Sequence, residues 1–201
     1  MNWKEAYLNV FGIFYIAIAI IAFYDSIKYF GFPSVLWFSY IAFLLIGIGI
    51  ITRNAFLIGS QLNIIFIPYI VWAIDFFYIL FTSQSLWGIT DFVFAGRFLS
   101  QIVMIQHIFI VPVALGAVYL IKFKRKDFWK WSLVQIGIIF VLTKIFTDPS
   151  KNTNCVFENC LPFEIKSFYP LIWFAAYVPA IFLINFTLTK IKAFSNKKKS
   201  H

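Results

Sequence analysis

The chain has 201 residues, 62% of them hydrophobic and 12% charged, and its 17 basic and 8 acidic residues leave a net charge of +9. A soluble domain carries about a quarter of its residues as charged side chains, so a mean hydropathy of +0.86 excludes an ordinary soluble fold. The positive charge lies at the ends of apolar runs, which removes nucleic acid as a partner and makes the lipid bilayer the expected one.

The first apolar run, residues 6–24, lacks a small-residue cleavage site and ends in Tyr24-Asp25-Ser26-Ile27-Lys28, so it is expected to be a retained span and not a cleaved signal peptide. The second, 33–51, enters on Gly31-Phe32-Pro33, where proline suits a first helical turn, and closes at Thr52-Arg53-Asn54. The third, 55–81, holds Gln61, Asn63, Pro68 and Asp75, with Pro68 predicted to kink it. A connector rich in Ser, Thr, Gln and Gly follows over 82–97.

The fourth run, 98–121, has 24 residues without Asp, Glu, Lys or Arg, yet it carries Gln101, Gln106 and His107. Roughly 20 helical residues cross the roughly 30 Å hydrocarbon layer. A histidine near the middle of such a span must face protein or an aqueous cavity. After the basic run 122–126 come a fifth span, 128–146, holding Gln135 and Lys144, a loop over 147–167, a sixth span, 168–189, and a basic tail, 190–201. The prediction is an all-α polytopic transmembrane helical bundle of six spans, forming one membrane domain over 1–201. No repeat relates its halves, so an inverted-repeat transporter is not supported.

Six spans put both termini on one side. With the termini inside, twelve of the 17 basic residues fall on inner segments; Lys28, Arg97, Lys151 and Lys166 fall outside, and Lys144 lies within a span. The positive-inside rule therefore predicts cytoplasmic termini in a cell membrane. In a eukaryote, Lys198-Lys199-Ser200-His201 would resemble a dilysine retrieval signal and move the protein to the endoplasmic reticulum membrane. Cys155 and Cys160, the only cysteines, lie in the outer loop, where a disulfide is the expectation. A redox pair is disfavoured because the spacing is not C-x-x-C, and a two-ligand metal site because no histidine is near in sequence. His107 and the terminal His201 are the only histidines, so a multi-histidine metal site is excluded, and no phosphate-loop, zinc-protease, serine-hydrolase or haem motif implies a cofactor.

Three titratable groups sit in the outer halves of spans: Asp75, His107 and Lys144. A carboxylate at a helix centre costs roughly 2.5 to 3.5 kcal/mol to insert, so it needs partners. Helical spacing puts Arg97, Ser100, Gln101, Met104 and His107 on one face of the fourth span, and Gln61, Pro68, Trp72 and Asp75 on one face of the third. Those faces can meet. The functional expectation is an outward-facing polar pocket for a lipid-like or small molecule. In it His107 is the general base, Asp75 orients the imidazole, and water is the nucleophile, since Ser100 is about two turns away. Arg97, Ser100, Gln101, Lys144, Asp148, Asn152 and Asn154 are the candidate ligand-binding residues.

A structural reading stands beside each of these. Asp75 can make a helix-to-helix hydrogen bond, and His107 can donate to Asp75 or to a carbonyl freed by Pro112. Lys144 can snorkel to the surface. Gln61, Asn63 and Gln135 are expected to be interhelical hydrogen bonds, and Asn152 and Asn154 turn residues.

The set Ser100, Gln106-His107 and Pro112 on one span, followed by Thr147-Asp148-Pro149, Asn152 and Asn154, resembles an uncharacterised group of bacterial polytopic integral membrane proteins over residues 97–157. That group has no assigned activity, so the resemblance implies a multi-pass membrane protein and no catalytic residue. A looser similarity, to small multi-span lipid hydrolases and acyltransferases with an intramembrane histidine, implies lipid-directed chemistry at His107. Two other readings remain open: a small-solute or proton-coupled transporter, and a non-catalytic membrane assembly subunit.

Overall fold

The computed structural model describes residues 2–95, 98–160 and 168–195. These form the α-helices α1 (Trp3–Phe30), α2 (Phe38–Ile51), α3 (Ala55–Thr82), α4 (Asp91–Ala95), α5 (Phe98–Ile121), α6 (Phe128–Phe146) and α7 (Tyr169–Lys190). Among the described residues the only β-type pairing is an isolated bridge between Phe123 and Ser195. The fold is an all-α bundle, and α1, α3, α5, α6 and α7, at 19 to 28 residues, are long and apolar enough to cross a membrane. That is the architecture of a multi-pass membrane protein.

Two predicted spans differ from the helices found. The first runs on to Phe30, because Asp25 and Ser26 are buried against neighbouring segments and do not mark an exit to water. It ends only where Gly31 takes φ 87°, a conformation that L side chains rarely adopt. The second is divided into a 3-10 turn over Phe32–Leu36 and the 14-residue α2. At 1.5 Å per residue α2 is only about 21 Å long, short of the hydrocarbon thickness. The segment nevertheless returns along α1. At one end the Lys151 ammonium donates to the Phe30 carbonyl at 2.8 Å; at the other the Arg53 guanidinium donates to Asn9 Oδ1 at 2.7 Å. The second segment thus runs back along α1 as a broken helix.

α1 and α2 pack closely because Gly47 has no side chain. A Cβ there would lie 2.8 Å from the Ile16 backbone nitrogen and 3.0 Å from the Gly12 carbonyl oxygen. Small residues at helix crossings are expected where lipid supplies no hydrophobic drive and association rests on van der Waals contact. A core of Tyr15, Phe43, Ile46, Leu62, Ile110 and Phe128, among others, runs through the middle, while Ile13, Phe81, Leu171 and Phe186 are exposed on the outside, where acyl chains would cover them.

The two ends differ in chemistry. The end carrying Phe30, the 3-10 turn and residues 147–160 is here termed the loop end. At the opposite, basic end, the Phe123 amide donates to the Phe194 carbonyl at 2.6 Å and the Lys122 ammonium to the Ala193 carbonyl, tying the α5–α6 link to the segment after α7. There Arg125 pairs with Asp127 at 2.8 Å and holds that carboxyl below its ordinary range.

Candidate functional site

The predicted faces of α3 and α5 do meet, but through rings and not through a charged pair. Trp72 stacks on the His107 imidazole with centroids 5.0 Å apart, Tyr69 lies 4.7 Å from it, and Phe43 of α2 meets its edge at 5.5 Å. The imidazole Nδ1 lies 3.0 Å from the Met104 carbonyl oxygen and 3.3 Å from that of Val103, so in the Nδ1–H tautomer it donates to its own helix. These carbonyls precede His107 by one turn and are not the one released by Pro112.

Asp75 has a different occupation. It is fully buried, and its carboxylate accepts from the Trp87 amide, the Thr90 amide and the Thr90 hydroxyl, each at 2.8 Å. A carboxylate taking several amide donors is satisfied without a cation. The expectation that Asp75 orients His107 is therefore corrected: among the described residues no hydrogen bond joins the two. Both oxygens serve the connector, fastening residues 83–90 over the end of α3. Beyond them α4 brings Val93 against Trp72 and Phe76, and Gln101 donates to the Val93 carbonyl at 3.1 Å.

The other candidate ligand-binding residues are dispersed. Arg97 lies outside the described residues. Ser100 is half-buried in the first turn of α5. The Lys144 ammonium sits 4.2 Å from the centre of the Phe157 ring, at the loop end of α6. Asp148 is exposed and caps the turn Pro149–Lys151 by accepting from the Ser150 amide at 2.9 Å, which holds its carboxyl below the ordinary range.

Asn152 and Asn154 are likewise turned to structural use. Asn152 Oδ1 accepts from the Phe157 and Glu158 amides at 3.0 and 3.1 Å, and its Nδ2 donates to the Glu158 carbonyl at 2.9 Å, folding the loop around the bonded Cys155–Cys160 pair. Asn154 Oδ1 accepts from the Phe38 amide at 2.9 Å and its Nδ2 donates to the Leu36 carbonyl at 2.8 Å. It bridges the break between the 3-10 turn and α2, which have no continuous backbone ladder there. Trp173 and Tyr169 of α7 then pin the loop through the Asn154 and Cys155 carbonyls at 3.0 and 2.7 Å. Among the described residues no hydrogen bond joins these two asparagines to Asp75 or His107; their amides bond backbone groups and, for Asn152, the Cys160 sulfur as well.

A second polar group lies toward the basic end. Gln61 and Gln135 exchange amide hydrogen bonds at 2.8 and 3.0 Å, joining α3 to α6. Asn63 donates to Ser132 at 3.2 Å and lies 3.5 Å from Asn185 of α7, and Ser132 donates to the Ser60 carbonyl at 2.9 Å. Sequence reasoning missed Ser132, Thr90 and Tyr69 beside His107. Thr90 follows Asp75 by fifteen residues across a connector without a period, so no spacing rule links them.

No family model, curated protein or solved structure matches the chain.

Proposed function

We propose a non-catalytic role: a multi-pass membrane protein whose intramembrane polar residues lock its helices together and which acts by assembling with other membrane components. The observation that carries this reading is the full engagement of Asp75 by Trp87 and Thr90. An acid committed to three donors is a latch, and it leaves His107 without the carboxylate partner that a general base of the expected kind would use. The reciprocal Gln61–Gln135 pair supports it too, since these amides satisfy one another and are not lined up along a path for ions. Transport gains no support either: between Gln61 and Tyr69, α3 gives Leu62, Ile64 and Ile65 to the core, and the buried Asn63 is bonded to Ser132.

A lipid-directed hydrolase or acyltransferase is the second reading, favoured by one detail. With Nδ1–H given to the Met104 carbonyl, Nε2 of His107 is the acceptor nitrogen, the state a base requires. The experiment that separates the two is His107→Phe, which keeps a flat ring among Trp72, Tyr69 and Phe43 while removing the base. The non-catalytic reading expects normal expression, an unchanged oligomer and an intact cellular phenotype. A folded variant that loses the phenotype, together with lipid turnover seen in vesicles only for the native chain, would replace it with the enzymatic one.

A further inference from the structure

The seam between α6 and α7 at the basic end gathers cations from two distant parts of the chain. The Asn185 side-chain amide of α7 donates to the Lys126 carbonyl at 3.2 Å, and Trp129, in the first turn of α6, packs on Phe182 of α7 with ring centroids 4.9 Å apart. These contacts set Lys126 and Lys130 beside the last turns of α7, which end on Lys190. All three lysines are exposed, and among the described residues no ion pair reaches any of them. Asp127, the acid that lies between Lys126 and Lys130 in the chain, gives both its oxygens to Arg125 at 3.0 and 2.8 Å.

The same seam carries an apolar surface that ends at these charges. Phe182, Phe186 and Lys190 recur every four residues and so share one face of α7, and both rings are exposed. The Lys190 ammonium lies 5.2 Å from the centre of the Phe186 ring, and the Lys130 ammonium 5.6 Å from that of Trp129. Each cation thus sits at the edge of an aromatic surface. A water-soluble anion would use the lysines and leave the rings bare, whereas a neutral lipid would cover the rings and leave the charges unmatched. A phospholipid with net negative charge complements both, its headgroup meeting the ammonium groups at the membrane surface and an acyl chain lying against the rings.

We propose that the α6–α7 seam is a binding site for an anionic phospholipid, with Lys126, Lys130 and Lys190 on the headgroup and Trp129, Phe182 and Phe186 against the acyl chain. Cations from both sides of the seam are needed, so the site exists only in the folded bundle. It stands whichever reading of His107 holds.

Native mass spectrometry of the full chain, released from detergent micelles doped with equal amounts of phosphatidylglycerol and phosphatidylcholine, tests this. The native chain is expected to retain phosphatidylglycerol several-fold over phosphatidylcholine, and a rise in salt should weaken that preference. Lys126→Gln and Lys190→Gln, which take one cation from each side of the seam, should each lower it by about fivefold. The paired variant Lys28→Gln with Lys144→Gln removes the same charge as Lys126→Gln with Lys190→Gln, but away from the seam, and should leave the preference intact. Equal retention of the two lipids by the native chain overturns the proposal. So does an equal loss in the two paired variants, which would make the preference a matter of net charge, or full displacement of the lipid by excess inorganic phosphate, which would make the site one for a soluble anion. If a variant fails to fold, the lipid ratio of the native chain and its decline with salt decide.

Discussion

Asp75 illustrates how one residue's meaning depends on what lies opposite it. A carboxylate fourteen positions after Gln61 on an apolar helix reads as a functional acid, because burying it unpaired is costly. Its partners turn out to be the amides of the connector that follows. Asp75→Ala is therefore expected to destabilise the protein by about 2–3 kcal/mol, the cost of leaving the Trp87 and Thr90 donors unpaired. Limited proteolysis should then cut residues 83–90, while the helices stay protected. Thr90→Val, which removes one of the three bonds, should cost about 1 kcal/mol. Uncut connector and unchanged Tm in Asp75→Ala would show that the latch does not hold the connector.

At the scale of helices, α1 and α2 approach backbone to backbone at Gly47. Gly47→Ala drives a methyl into the Ile16 backbone, which cannot swing aside as a side-chain tip could, so the helices must separate. The expected loss is about 1–3 kcal/mol, read as a lower Tm in detergent. Gly137 on α6 is the control, since a Cβ there meets nothing within 4 Å. Gly137→Ala should be neutral or stabilise by up to about 1 kcal/mol through helix propensity. Equal effects at the two glycines would mean that the α1–α2 approach is not a stability determinant.

For the molecule as a whole, the decisive element is the broken second pass. A 14-residue helix alone fails the length rule, and without it five crossings would put the termini on opposite sides. The Arg53 to Asn9 hydrogen bond brings the end of that segment back beside the start of α1, so an even count of crossings is expected. Single cysteines placed by Lys4→Cys and Lys192→Cys, in a chain with Cys155 and Cys160 changed to Ser, are expected to react with an impermeant thiol reagent from one face of the membrane. Ser150→Cys should react from the other. Labelling of positions 4 and 192 from opposite faces would sink the six-pass arrangement.

Composition and hydropathy alone settled that this is an apolar helical bundle, and they placed α3, α5, α6 and α7 to within a residue of their ends. Those helices are bounded by charges, caps and turn residues adjacent to them in the chain, which is local information. Helix periodicity also foretold that the faces of Trp72 and His107 could meet. What the sequence could not decide was the pairing of its polar side chains. Asp75 with Thr90, Asn154 with the break before α2, and Gln61 with Gln135 are partnerships across loops or between helices. A hydrogen bond spans about 3 Å, so only the packed arrangement of the helices determines which donor comes within reach of which acceptor.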